Sequence, residues 1–276
     1  MNNVITLDPL DLGLAASLVL VDIGLSVSLK LGLHRSFAIA AVRMTAQLAA
    51  IGFVLRFIFQ LANPAATLGV VLIMALIAAR EVAVRPKQRL QGFGSYIIAV
   101  FSVAVPTVLT VALALATAMR PNPWFDPRYL VPLAGIILGN VLNAASITLD
   151  GVLGGADRER EAIEARLALG TGYWLAIGPT LREAMRRGLV PVINQMSAAG
   201  LITLPGIMTG QIIAGMDAIE AAKYQILLMF LLSGGSGIAV VACGYLAARR
   251  LTDERERLRL DRLQVARIHN ETKLPN

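Results

Sequence analysis

Seven long apolar runs follow one another along this chain, and together they contain only four charged residues, Asp11, Asp22, Arg43 and Arg56. The runs cover residues 10–29, 36–59, 65–79, 96–119, 129–149, 190–214 and 224–248. About 20 consecutive apolar residues suffice for a helix to cross the hydrocarbon core of a bilayer. A backbone in lipid must satisfy its own hydrogen bonds, and a helix does this within a single run. The chain is therefore expected to be an all-α integral membrane protein with about seven transmembrane helices. Composition agrees, with 56% hydrophobic and 16% charged residues and a mean hydropathy of +0.67. A soluble domain carries roughly 25% charged residues. The third run is the short one, beginning just after Pro64.

Basic residues set the orientation. The first, third and fifth connections and the tail hold twenty of the 25 Lys and Arg, and the remaining connections hold three, Arg120, Arg128 and Lys223. Lys and Arg collect on the cytoplasmic side, so the N-terminus is expected outside and the C-terminus in the cytoplasm of a multi-pass protein of the cell inner (plasma) membrane. The alternation requires the short third run to cross. The net charge of +7 is read as this bias and not as a nucleic-acid surface. The residues before the first run, Met1 to Val4, lack the basic region of a cleavable signal, so that run is expected to stay.

The organisation expected is a permease domain over residues 1–249 and a cytoplasmic tail over 250–276. Residues 249–267, rich in Arg, Glu and Leu, read as a helix near the anionic lipid surface or, more simply, as a solvated charge run. The single cysteine, Cys243, lies in the last run and excludes an intramolecular disulfide. His34 and His269 lie outside the runs, so no His/Cys cluster has metal-ligand spacing and no metal ligands are assigned.

The one sizeable internal connection is the loop 150–189. It opens with a glycine-rich stretch, read as a flexible exit, and continues into an amphipathic helix with Asp157 as N-cap and Gly170 just past its end. A second amphipathic segment, 174–187, follows. A helix, a glycine turn and a second such segment make a docking surface, or a helix resting on the membrane. Glu164-Ala165-Arg166-x3-Gly170 resembles the Glu-Ala-Ala-x3-Gly signature of ATP-binding-cassette importer permeases, whose coupling helix fits a cleft in the ATPase. The family's later Ile-x-Leu-Pro is not at its usual spacing. Asn122-Pro123-Trp124-Phe125-Asp126-Pro127, Pro132-Leu133-Ala134-Gly135, Gly188-Leu189-Val190-Pro191 and Leu204-Pro205-Gly206-Ile207-Met208-Thr209-Gly210-Gln211 are together similar to the Fet-type iron-export ABC permease family. That family includes bacterial iron-stress exporters and plant aluminium-tolerance permeases. The resemblance implies a membrane subunit that exports cargo, iron in bacteria and a nucleotide sugar such as UDP-glucose for plant relatives. It also implies a separate cytoplasmic ATPase, with Glu161, Glu164, Ala165, Arg166 and Gly170 coupling to it.

The residues independently place ATP hydrolysis elsewhere. A P-loop lysine follows glycine, whereas Lys30, Lys87, Lys223 and Lys273 follow Leu, Pro, Ala and Thr. No catalytic residues or cofactors are expected in this chain, and ATP and Mg belong to the partner. One chain with one coupling loop suggests a homodimer.

Polar residues inside apolar runs are costly and mark structure or function. Asp22 and Arg43 match in depth across the first hairpin and are expected to pair. Gly135, Gly139, Asn140, Asn143, Ser146 and Asp150 share one face of the fifth run, either as packing contacts or as a cargo-facing surface. In the sixth run Pro205 and Gly206 interrupt the helix, a feature of transporter sites, beside Asn194, Met208 and Gln211. Met208 is as well explained by gap filling. The candidate cargo pathway is Asp22, Arg43, Asn140, Asn143, Asn194, Met208 and Gln211. A secondary transporter or channel would instead need a relay carboxylate at mid-membrane, and only Asp22 qualifies.

Overall fold

The computed structural model describes residues 8–61 and 63–265, and the chain divides into two compact units at Asn63/Pro64. The first unit is a helical hairpin of α1 (Pro9–Ser28) and α2 (His34–Leu61). Asp8 and Asp11 form a capping box at the start of α1, which satisfies amides that the first turn leaves open. The reversal uses positive φ at Lys30 and Gly32, with Leu33 N–H donating to the buried Ser26 hydroxyl. Asp22 and Arg43 are both exposed on this hairpin. Asp22 forms no ion pair among the described residues, so the expected clamp to Arg43 is not made.

The second unit contains α3 (Pro64–Val84), β1 (Gln88–Leu90), α4 (Gly94–Ala114), a π-helical turn (Leu115–Met119), α5 (Pro127–Arg158), α6 (Arg160–Ala168), α7 (Tyr173–Ala176), α8 (Gly178–Ala198), α9 (Gly206–Ile213), α10 (Ala218–Arg250), a 3-10 turn (Leu260–Arg262) and β2 (Leu263–Val265). Helix α5 is the axis and packs against α3, α4, α8 and α10. Its fully buried residues Ile137, Val141, Ala145, Leu149, Val152 and Ala156 recur at three- and four-residue spacing, a stripe one helix face wide. Small residues let α8 approach closely. A Cβ at Gly151 would lie 2.9 Å from Ala184 Cβ, and one at Gly155 would lie 2.6 Å from Thr180 Cγ2. A Cβ at Gly244 would come within 2.6 Å of Met185, and one at Gly188 would collide with Thr148 Oγ1.

Six helices are long and apolar enough to cross a membrane among the described residues: α1, α2, α3, α4 with its π-turn, α5 and α10. The third, expected to be short, has 21 residues, because it continues through Arg80 and Glu81, and the Glu81 carboxylate lies 3.9 Å from Arg80 and 3.7 Å from Arg85. The sixth expected run is not one helix. Helix α8 starts twelve residues earlier than expected, at Gly178, and stops at Ala198. A turn with Gly200 at φ 91° follows, and α9 begins after Pro205. Proline has no amide to donate and its ring clashes with the preceding turn, so a hydropathy window spans two helices here. At 32 and 33 residues, α5 and α10 are each about 50 Å long, well beyond a hydrocarbon core of about 30 Å.

Two further expectations are corrected. The glycine-rich stretch after Leu149 is no flexible exit; it is the last two turns of α5, held against α8. From Leu251 to Val265 the tail does not continue the α-helix, and the last two residues of the expected helix, 266 and 267, lie outside the described residues. Asp253 accepts from the backbone of Arg255 and Arg257 and from the Arg257 guanidinium, a local turn that competes with helix. The Arg257 hydrogen bond holds the Asp253 carboxyl well below the usual carboxylate range. The chain then turns back, and β2 pairs antiparallel with β1, Arg89 opposite Gln264. Leu258, Leu260 and Leu263 pack onto the core of this unit, which removes them from any role on the membrane surface.

Candidate functional site

Beyond the end of α5 the chain makes an elbow. Glu159 serves as the cap residue of α6 in place of the expected Asp157, and its carboxylate accepts a 2.6 Å bond from Thr180 Oγ1 on α8. Gly170 closes α6 at φ 85°, with Thr171 N–H donating back to Arg166 O, the glycine-terminated end that a left-handed residue permits. Arg166 points inward and donates to Ala176 O at 2.9 Å. Tyr173, at 1% exposure, donates its hydroxyl to Ala248 O of α10 at 2.6 Å, and burial raises its pKa, which keeps that donor protonated. The Tyr173 N–H donates to Glu256 in the tail. The elbow is thus tied to α8, to the end of α10 and to the segment after it.

Its outer surface is different. Glu161, Glu164 and Ala165 face outward, with Glu164 accepting from Arg160 one turn away at 2.9 Å. Leu169 is 87% and Leu175 76% exposed, and the exposed Trp174 meets Tyr173 edge-on and Tyr245 at a tilt. A helix that is rigid at its base and apolar at its tip has the character of a contact surface.

Higher on the same helices lies a polar cavity of about 340 Å³, lined by Asn140, Asn143 and Ala144 of α5, Gly188, Pro191, Val192 and Gln195 of α8, and Ser236 of α10. Asn140 donates to Ile136 O, and Arg85 donates to Asn143 Oδ1 at 3.1 Å. The Ser236 hydroxyl is enclosed with no hydrogen-bond partner among the described residues, an arrangement that costs about 1–3 kcal/mol unless something fills it. Asn140 and Asn143 are thus brought together as their shared face suggested. Asn194 is exposed, and its neighbour Gln195 lines the cavity. Met208 and Gln211 are half-buried on α9, outside this lining, and the Gln211 Oε1 is likewise enclosed without a partner. Asp150, which shares the Asn face, accepts from Lys87 N–H and so holds the α3–α4 connection. Among the described residues no group of three or more His, Cys, Asp and Glu side chains could hold a metal ion.

Ser236, Arg85, Glu159, Thr180 and Tyr173 were not singled out from the sequence. Arg85, Glu159, Thr180 and Tyr173 acquire their roles from partners distant in the chain, and Ser236 from the cavity it helps to line. Only Ser236, a hydroxyl inside an apolar run, carried a sequence signal.

Residues 9–252 match the model of a family described as an uncharacterised protein family, UPF0014. Among curated proteins, the chain is 30% identical to the probable iron export permease protein FetB of Escherichia coli, covering 92% of this chain and 95% of that protein. It is 34% identical to the UPF0014 membrane protein STAR2 of Oryza sativa, covering 84% and 79%. It is 31% identical to the protein ALUMINUM SENSITIVE 3 of Arabidopsis thaliana, covering 84% and 83%. No solved structure matches it.

Proposed function

Because the chain belongs to the uncharacterised protein family UPF0014 and is similar over nearly its whole length to a probable iron export permease, we propose that it is the membrane-spanning subunit of an ATP-binding-cassette exporter of iron. In this reading two copies of the chain pair, and each engages one cytoplasmic ATPase, which binds ATP and Mg. The observation that carries the reading is the elbow: an apolar tip at Leu169, Trp174 and Leu175 on a base bonded to three other segments.

Movement imposed on the tip reaches α8 through Glu159–Thr180, is shared between α6 and α7 through Arg166–Ala176, and reaches α10 through Tyr173. Helix α8 meets α5 and α10 along the small-residue seam of Gly151, Gly155, Gly188 and Gly244, where shifts displace few side chains. Gly188 also lines the polar cavity, so a shift along the seam reshapes the cavity directly. The break between α8 and α9 lets the upper part of that crossing move separately, and α8 with α9 together supply the seventh crossing that the basic-residue alternation requires. The cavity offers amide and hydroxyl oxygens, donors that suit a hard cation keeping part of its water.

The test places a photo-crosslinking residue at Leu169 and, as a control, at the exposed Phe93 in the α3–α4 connection. Capture from native membranes at position 169 of a polypeptide bearing a P-loop, absent at position 93, is the expected result. If position 169 captures lipid alone, the elbow is a membrane-resting helix and the transport is ATP-independent.

A further inference from the structure

Where α10 leaves the bundle, a cavity of about 450 Å³ is lined by Ile97, Ile98 and Phe101 of α4, Leu246 and Arg249 and Arg250 of α10, and Arg262 of the tail. Three guanidinium groups therefore share one cavity with an apolar floor, and no carboxylate lines it. Of the nearby acids, Asp253 is engaged by Arg257 and Arg259 and Asp261 by Arg259, while Glu254 lines an adjoining pocket that shares Arg249 and Arg262 and does not line this one. Neither Arg249, Arg250 nor Arg262 belongs to an ion pair among the described residues. Arg262 also donates to Arg250 O and Thr252 O. These bonds cover carbonyls at the end of α10 whose partial negative charge would repel an anion.

The floor continues in one direction only. Ile97, Phe101, Val105 and Val108 are all exposed and recur at four- and three-residue spacing along α4, so they form one lane rising about 16 Å from the arginines into the apolar part of the helix. A ligand that fits must be negative at one end and hydrocarbon along the rest.

We propose that the Arg249–Arg250–Arg262 cavity is a binding site for an anionic phospholipid of the cytoplasmic leaflet, its phosphate held by the guanidinium groups and one acyl chain lying along Ile97, Phe101, Val105 and Val108. Arginine presents a planar fork that matches phosphate oxygens, and basic pockets between membrane helices on this side take anionic headgroups. Because Arg262 is bonded across the end of α10, the lipid joins α4, α10 and the returning tail at the point where Tyr173 anchors the elbow. The site does not depend on the identity of the cargo.

The full chain, purified in detergent, is titrated with phosphatidylglycerol, with phosphatidylcholine and with inorganic phosphate, and bound lipid is read by native mass spectrometry. One phosphatidylglycerol per chain is expected to be retained under conditions that strip phosphatidylcholine. Arg249→Gln with Arg250→Gln, which removes two exposed guanidinium groups and keeps the Arg250 carbonyl that Arg262 bonds, weakens retention roughly thirty-fold. Arg158→Gln with Arg255→Gln removes the same charge outside the cavity and leaves retention unchanged. Phe101→Asp puts a carboxylate in the hydrocarbon lane and loses the lipid with all three arginines present. Equal retention of phosphatidylcholine overturns the proposal, as does displacement of the lipid by phosphate at equal concentration, or equal loss in the control pair. Retention unchanged in Arg249→Gln/Arg250→Gln, with loss of ATPase binding instead, would give the arginines to a protein partner.

Discussion

Gly188 shows how much one missing methyl group decides. Its absent Cβ would lie against Thr148 Oγ1 and 3.0 Å from Val240 Cγ2, so any side chain there forces α8 away from both α5 and α10. Gly188→Val is expected to lower unfolding stability by about 1–3 kcal/mol, the usual cost of overpacking, seen as a lower Tm in detergent. Gly139→Val, where nothing lies within 4 Å, should leave Tm unchanged. Arg166→Ala removes the bond to Ala176 O and should cost roughly 1–2 kcal/mol, while Glu161→Ala on the outer face should cost nothing measurable. Sequence reading reached the right residues only in part. Asn140 and Asn143 were legible because an amide in an apolar helix must be doing something. The Gly135-x3-Gly139 pattern is readable either as packing contacts or as a cargo-facing surface; a Cβ at Gly135 would lie 3.1 Å from the Met74 methyl, Gly139 faces open space, and the tightest approaches are at Gly151, Gly155 and Gly188. Spacing on one helix cannot reveal which glycine a second helix crosses.

At the scale of elements, the elbow depends on a turn that suits glycine. Gly170 at φ 85° places any other residue in a conformation costing roughly 1–2 kcal/mol. Gly170→Ala is therefore expected to fray the end of α6 and to speed protease cleavage between α6 and α7, with Tm of the helical bundle little changed. Cleavage at the wild-type rate would show that the turn is not held by this residue. Apolar runs located α1 to α5 and α10 but missed their ends, and merged part of α8 with α9. Helix α5 runs nine residues past the apolar run and α8 begins in charged sequence, because packing between them outweighs the glycines and arginines. The tail failed as a helix for a local reason, the Asp253 turn, and its partner strand Gln88–Leu90 is more than 160 residues away. Three-residue strands set by such distant pairing leave no period to read.

For the whole molecule, the alternation of basic connections calls for seven crossings; among the described residues six single helices are long enough, and in the proposed topology α8 and α9 together make the seventh. That topology predicts which side each loop faces. The native Cys243 is fully buried, so single cysteines can be added to the otherwise unchanged chain. Leu169→Cys should react with an impermeant maleimide only from the cytoplasmic face, and Trp124→Cys only from outside. The central claim, that a separate ATPase drives this chain through the elbow, is tested most directly by transport. The chain is reconstituted into liposomes with the ATPase captured at position 169, the ATPase facing the bath, and entry of labelled iron is measured with and without ATP and Mg. Iron entry that requires ATP and the ATPase, and that Leu169→Asp abolishes without lowering Tm, is the predicted result. Entry at the same rate without ATP, or driven equally by an imposed ion gradient, would contradict the account.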